Sequence, residues 1–140
     1  MVKVIDDGIF PVPREKVWKL IQAHETNGSA IHPNVRSSKQ IKKEGNANVI
    51  EQQVDMGGQI VRHTLKISAN PPDSLTIEYL DGPMTGKMVN TYTDVPEGTK
   101  VSTVADMTSK IMKDKELEAA IRQLLDKSFN EDLQYLKQMK

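Results

Sequence analysis

The sequence contains no cysteine among its 140 residues. Disulfide frameworks, thiolate zinc sites and cysteine nucleophiles are therefore excluded, and the absence is compatible with a reducing compartment. An excess of charge of one sign is also missing, because 19 basic residues balance 19 acidic ones. No overall field therefore attracts the chain to nucleic acid or to an anionic membrane.

Aromatic residues are few, and long apolar runs are absent. Phe, Trp and Tyr make up 4% of the chain, too few for a platform on which nucleic-acid bases could stack. No apolar run approaches the roughly 18 residues of a membrane-spanning helix. The N-terminal MVKVIDDGIF carries charges where a signal peptide requires an apolar core. We therefore predict a cytoplasmic protein with no nucleic-acid partner and no stable membrane insertion.

The chain has the length of one domain. No repeat or linker divides it, so we predict a single domain over residues 1–140. A strand-like run, VKVIDDGIF, is followed by PVPREKVWKLIQAH, in which apolar residues and His24 recur at helical spacing. The segment ETNGSAIHPN interrupts this pattern, which predicts a second short helix that ends at Pro33.

Between about Val35 and Thr108 the hydrophobic period changes to two. The turn signals KEGNA, DMGGQ, NPPDS, DGPMTG and VPEGT separate segments rich in Val, Ile, Thr and Tyr, and this spacing predicts consecutive antiparallel hairpins. With the N-terminal strand they form a seven-stranded sheet. A long helix with one apolar stripe follows, from roughly Lys113 to Gln138, and a curved sheet offers the broad surface it needs. The predicted class is α+β.

The segment DGPMTGKM contains the elements of a phosphate-binding loop, with two glycines and a lysine. The P-loop pattern requires a glycine five residues before Gly86 and Ser or Thr after Lys87, but Asp81 and Met88 occupy those positions. A β-like segment follows, instead of a helix whose N-terminus could hold phosphate. We therefore predict a hairpin turn that binds no nucleotide.

The order of these elements resembles the helix-grip fold of birch-pollen-allergen-like proteins, START lipid-transfer domains and polyketide cyclases and dehydrases. The likeness covers essentially the whole chain and rests on VPREKVWKLI, on the PEGT turn and on the closing helix. It implies a seven-stranded curved antiparallel sheet wrapped around the C-terminal helix, with two short helices after the first strand. It also implies a cavity for a hydrophobic or amphipathic small molecule, gated by the loops DMGGQ and DGPMTG.

Strand alternation assigns side chains to the predicted cavity wall, because every second residue of a strand shares a face. His63 and Tyr79 each lie in register with apolar neighbours of their own strand, which places polar tips on an apolar wall, as a small-molecule pocket requires. The same alternation applies to the next strand, and the apolar stripe of the last helix faces the wall. The predicted ligand-binding residues are His63, Tyr79, Met84, Met88, Asn90, Tyr92, Leu124 and Ser128.

These residues also have purely structural interpretations. A histidine on an apolar face is more often a core residue than a ligand contact, buried tyrosines pack, and methionines fill gaps. Ser128 equally suits the close approach of a neighbouring element. Asp6 and Asp7 are adjacent in a strand and point to opposite faces, so we predict no shared carboxylate site.

The three histidines do not predict a metal site. His24, His32 and His63 have no typical ligand spacing, and no carboxylate stands in a recognisable pattern around them. We therefore predict no metal and no cofactor.

Three functions remain open. The leading hypothesis is a binding protein that encloses a lipid- or polyketide-like small molecule without transforming it. The first alternative is an enzyme similar to polyketide cyclases and dehydrases, in which His63 or a tyrosine moves a proton. The second is a co-chaperone-like interaction module, which predicts a closed cavity and an exposed apolar patch.

Overall fold

The structure, a computed structural model, describes residues 1–139, without the side chains of residues 25–29. The elements in chain order are β1 Val2–Phe10, α1 Arg14–Ile31, β2 Val35–Glu44, β3 Ala47–Met56, β4 Gln59–Asn70, β5 Ser74–Asp81, β6 Met84–Val95, β7 Gly98–Ser109 and α2 Asp114–Gln138. The strands form one antiparallel sheet in the order β1-β7-β6-β5-β4-β3-β2. The predicted seven-stranded sheet with a long closing helix is confirmed.

Helix α1 differs from the prediction, because one helix of 18 residues replaces two short ones. It begins after Pro13, whose carbonyl accepts the backbone N–H groups of Lys16 and Val17 at 3.0 and 3.2 Å. A glycine inside a helix costs only about 1 kcal/mol relative to alanine, and Gly28 does not end α1. Ile31, only 3% exposed, anchors the last turn in the core.

The sheet contains three irregularities that shift its register. Thr64 pairs with Asp81 and Leu65 with Tyr79, which leaves Leu80 as the extra residue of a bulge. The other two shifts lie in β2, at Arg36 and Ile41. The segment DGPMTG is the β5–β6 turn, and it continues into a strand rather than a helix, as predicted.

Helix α2 packs against β1, β7 and α1. Buried residues form two clusters, one at each end of the inner face of the sheet. The methionine cluster contains Val2, Val4, Met84, Met88, Ala105, Met107, Leu117 and Ile121. The aromatic cluster contains Phe10, Val17, Trp18, Leu20, Ile31, Leu75, Tyr92 and Leu136. Neither helix within residues 1–139 combines the length and the apolar content needed to cross a bilayer.

Candidate functional site

The inner face of β6 follows the alternation expected from the sequence. Met88 lies opposite Ala105, Asn90 opposite Thr103, and Tyr92 opposite Val101. Because residues directly opposite in an antiparallel pair share a face, these side chains point to the same side of the sheet. The predicted common face for Met84, Met88, Asn90 and Tyr92 is confirmed.

The eight predicted ligand-binding residues do not surround one common space. Met84 and Met88 are 3% and 4% exposed and belong to the methionine cluster, against which Tyr79 and Leu124 pack. Asn90, Tyr92 and Ser128 instead line a cavity near the other end of the sheet. Their role in binding a ligand stays a prediction, and the predicted residues lie in two separate regions of the structure.

The cavity lies between α1, α2 and the inner face of the sheet, and its volume is about 100 Å³. Its apolar lining includes Phe10, Val17, Leu20, Leu125 and Phe129, and its polar lining includes His24, Asn90, Thr103, Ser128 and Asp132. Thr103 donates a hydrogen bond to the Asn90 side-chain oxygen at 2.7 Å. Burial raises the pKa of Tyr92 far above its ordinary value, despite an opposing hydrogen bond with Asn90, so the phenol remains protonated.

Two small residues help to explain the shape of this cavity. The ring of Phe129 lies where a side chain at Gly8 would project, with ring atoms 2.5–2.9 Å from the position of a β carbon. The same ring packs edge-on against Phe10, with the ring centroids 4.7 Å apart. Ser128, next to Phe129 in α2, presents only a short side chain to the cavity.

His63 lies on the inner face of β4 and is 4% exposed. Its Nε2 atom is buried and has no hydrogen-bond partner within the described part of the chain. The imidazole packs edge-on against Tyr79 at 5.3 Å between centroids, and a side chain at Gly82 would collide with it. Burial lowers the pKa of His63 and raises the pKa of Tyr79 to about 12. A neutral imidazole and a neutral phenol therefore stand side by side.

His24 and His32 meet Asp132 of α2 at one edge of the cavity. We call these three residues the histidine–aspartate cluster. The Nε2 atoms of the two histidines are 3.0 Å apart, and Asp132 Oδ1 lies 3.2 Å from each of them. Burial disfavours the charged form of His32, but hydrogen bonds to Asp132 and Glu131 outweigh it, so the pKa of His32 is raised. Burial of Asp132 is likewise outweighed by hydrogen bonds from His24 and His32, which lower its pKa.

Sequence reasoning did not bring these three residues together. His63 lies outside the group, so the three histidines considered from the sequence do not form one site. Asp132 occupies the position four residues after Ser128 and four before the buried Leu136, on the apolar stripe of α2. A carboxylate on the buried face of a helix is the signal that the sequence offered.

Comparison with models of protein families and with the sequences of curated proteins finds no match. Solved structures do match. A START superfamily protein from Mycobacterium smegmatis superposes with a TM-score of 0.84 at 10% identity, covering 99% of each chain. Ara h 8.0201 superposes with a TM-score of 0.78 at 15% identity, covering 98% of each chain. The chain has the helix-grip fold.

A third helix-grip structure is the Zhui aromatase/cyclase from Streptomyces sp. R1128. Its TM-score is 0.72 at 16% identity, with 96% of this chain and 90% of that chain covered. At these low sequence identities, the likeness to solved structures establishes the helix-grip architecture alone. A function must be inferred from the side chains of this protein.

Gating by the β3–β4 and β5–β6 loops, which the resemblance led us to expect, stays a prediction. Here both loops lie at the sheet end that holds the methionine cluster. Large apolar side chains are exposed close to these loops and after β7, at 37% for Met56, 52% for Ile60, 48% for Leu80 and 74% for Ile111. The methionine cluster therefore lies behind a rim with apolar side chains, whereas the cavity lies near α1.

Proposed function

We propose that the protein binds a hydrophobic or amphipathic small molecule between the sheet and α2. The observation that supports this most directly is the cavity, whose walls are mainly apolar and whose polar groups include residues of β6, β7 and α2. Asn90 comes from β6, Thr103 from β7 and Ser128 from α2. Ligand sites typically combine an apolar surface with a few polar groups that fix the orientation of the ligand.

The volume limits what the cavity holds without rearrangement. At about 100 Å³ it is smaller than the roughly 300–1,000 Å³ of pockets for drug-sized ligands. A lipid- or polyketide-like molecule therefore needs space that side chains now fill. Met84 and Met88 are suited to provide it, because unbranched methionine side chains rearrange easily. The polar group of the ligand would lie against Asn90, and its apolar part would extend into the methionine cluster.

A matched pair of α2 variants tests this proposal. Ser128→Leu places a larger side chain in the cavity, whereas Lys127→Leu changes the neighbouring exposed position. Native mass spectrometry first identifies a co-purifying molecule, and titration with a fluorescent fatty acid and a fluorescent polycyclic aromatic then measures affinity. We expect Ser128→Leu to weaken binding at least tenfold and Lys127→Leu to leave it unchanged. Equal affinities in the two variants would contradict the proposal.

A cyclase- or dehydrase-like enzyme is the second candidate, and the unpartnered Nε2 of His63 favours it. A neutral imidazole can remove a proton from a carbon next to a carbonyl, and the adjacent Tyr79 phenol can donate a hydrogen bond to the developing oxyanion. Deuterium exchange from solvent into a β-diketone measures this step directly. Faster exchange with the native protein than with His63→Ala supports an enzyme, and identical rates exclude this role for His63.

The co-chaperone-like alternative requires one exposed apolar patch. Ile5 and Ile9 project from the outer face of β1. Three of the other exposed apolar side chains, Met56, Ile60 and Leu80, lie near the ends of β3, β4 and β5, which are not adjacent to β1 in the sheet. Because the two sets are separated, we do not propose this function.

A further inference from the structure

The histidine–aspartate cluster brings three potential metal-ligand atoms together. His24 Nδ1 lies 2.8 Å from the backbone carbonyl of Leu20, which can only accept a hydrogen bond. His32 Nδ1 lies 2.8 Å from a carboxylate oxygen of Glu131, which in its ionised form also only accepts. Both Nδ1 atoms are therefore donors, and the two Nε2 atoms face the centre of the cluster, where either a proton or a metal ion can be held.

At that centre, the two Nε2 atoms and a carboxylate oxygen face one another. The three atoms form a triangle with edges of 3.0, 3.2 and 3.2 Å. Such an arrangement is repulsive unless a proton or a metal ion lies among the three atoms. A tetrahedral zinc ion with bonds of about 2.0–2.1 Å separates its ligand atoms by about 3.3 Å, which is close to the edges of this triangle.

The surroundings also match those of a metal site. Histidine ligands of zinc usually donate their second ring N–H to a carboxylate or a backbone carbonyl, which fixes the ring and its tautomer. The Leu20 carbonyl and the Glu131 carboxylate supply these two partners. Glu131 and Asp132 add two negative charges beside the two rings, and this charge favours a divalent cation.

We propose that His24, His32 and Asp132 bind a zinc-type divalent transition metal ion. Two imidazoles and one carboxylate suit zinc and its neighbours, whereas magnesium and calcium prefer oxygen ligands. This assignment replaces the expectation from the sequence that the chain binds no metal. It does not depend on the proposed ligand-binding function.

Three protein ligands leave a fourth tetrahedral position free, as in zinc sites that bind a water molecule or a substrate. His24 and Asp132 both line the cavity, so the metal site borders the space between the sheet and α2. If the proposed function holds, the preferred ligands of the cavity carry an oxygen or nitrogen donor for the metal. This last step rests on the proposed function, whereas the metal site itself does not.

The test uses the chelator-treated protein, and zinc chloride alone is the probe. Isothermal titration calorimetry is expected to show one zinc ion per chain, and magnesium chloride is expected to give no binding. We expect His32→Ala and Asp132→Asn to weaken zinc binding at least 100-fold. Glu131→Gln, which changes only the partner of a ligand, should weaken it about tenfold. His63→Ala is the matched control, because it removes the histidine outside the cluster, and it should bind zinc as the native chain does.

Nuclear magnetic resonance of the native protein decides the question without any variant. The chain has three histidines, so their ring nitrogens can be assigned individually. Zinc is expected to shift Nε2 of His24 and His32 and to leave His63 unchanged. Absence of saturable binding, or shifts that do not involve both cluster histidines, would overturn the proposal. Zinc affinity unchanged in a folded His32→Ala variant would also overturn it.

Discussion

The two ends of the same inner wall are packed by different means. Near the β3–β4 and β5–β6 loops, Met84, Met88 and Met107 are at most 4% exposed and fill the space under the first half of α2. Near α1, the side chains of Asn90 and Ser128 leave about 100 Å³ unfilled. The strands and the closing helix are common to both ends. The comparison shows that the backbone supplies the wall, while the size and polarity of a few side chains decide whether there is space for a ligand.

The largest expected contrast comes from two glycines. Gly86, in the methionine half, has φ +139°, and a side chain there would meet the Asp106 carbonyl and the backbone of Met107. We expect Gly86→Ala to cost about 3 kcal/mol or more. Gly8→Ala meets only the ring of Phe129, which can move towards the cavity, and should cost about 1 kcal/mol. Urea denaturation measures the free energy of unfolding of both variants. Equal losses would mean that the ring of Phe129 cannot move away from the new side chain.

A second contrast uses two leucines of α2. Leu117 is fully buried in the methionine cluster, whereas Leu125 is only partly buried and lines the cavity. Removing a fully buried leucine leaves a void, so we expect Leu117→Ala to lower the free energy of unfolding by about 3 kcal/mol. Leu125→Ala should lower it by about 1 kcal/mol, because this side chain is only partly buried and borders space that is already unfilled. Similar losses of unfolding free energy for the two variants in guanidinium denaturation would contradict the distinction between the two halves of α2.

The smallest expected effect is a difference between His63 and His32 in how each makes the stability of the fold depend on pH. It is measured in a chelating buffer. The pKa of His63 is lowered from 6.5 by burial, and the titratable group that faces it is Tyr79. The stabilisation from keeping His63 neutral is therefore complete above pH 6.5 and is lost as the pH falls through its folded-state pKa. His63→Leu should make stability less sensitive to acid below pH 6.5.

The contribution of His32 has the opposite sign. Its pKa is raised from 6.5 by hydrogen bonds to Asp132 and Glu131, which outweigh its burial, and His24 also faces it. The stabilisation is complete below pH 6.5 and is lost as the pH rises through the folded-state pKa. His32→Gln should reduce the loss of stability above pH 6.5. Thermal denaturation across this range checks both variants, and slopes of the same sign in both would contradict the assignment.

Features with local causes could be predicted from the sequence. Gly57 and Gly58 form the β3–β4 turn with φ values of 65° and 90°, as a two-residue loop between strands requires. Alternation in β6 gave the correct face for Asn90 and Tyr92, because this strand pairs with β7 without a register shift. Helix α1 was misjudged, because the burial of Ile31 outweighs the weak helix preference of the preceding segment.

Features that depend on long-range packing could not be predicted. His24 and Asp132 are 108 residues apart in sequence and meet only because α1 packs against α2. The volume left between the helices depends on how Phe129 fits against Gly8, which no periodicity reveals. The role of the methionines could not be predicted either. Strand alternation places them on the inner face of the sheet whether they fill the space under α2 or line a cavity there.

Helix α2 connects the two ends, and its two halves are held unequally. Leu117 and Ile121 are fully buried, whereas Leu125, Ser128, Phe129 and Asp132 border the cavity. An ion bound at the histidine–aspartate cluster contacts the second half of α2 only, so its binding energy is linked to the local opening of that half. Backbone amide exchange should then slow for residues 125–136 on occupancy and stay constant for residues 114–121. The rate at which the second half of α2 opens would also set how long the bound ion stays in its site.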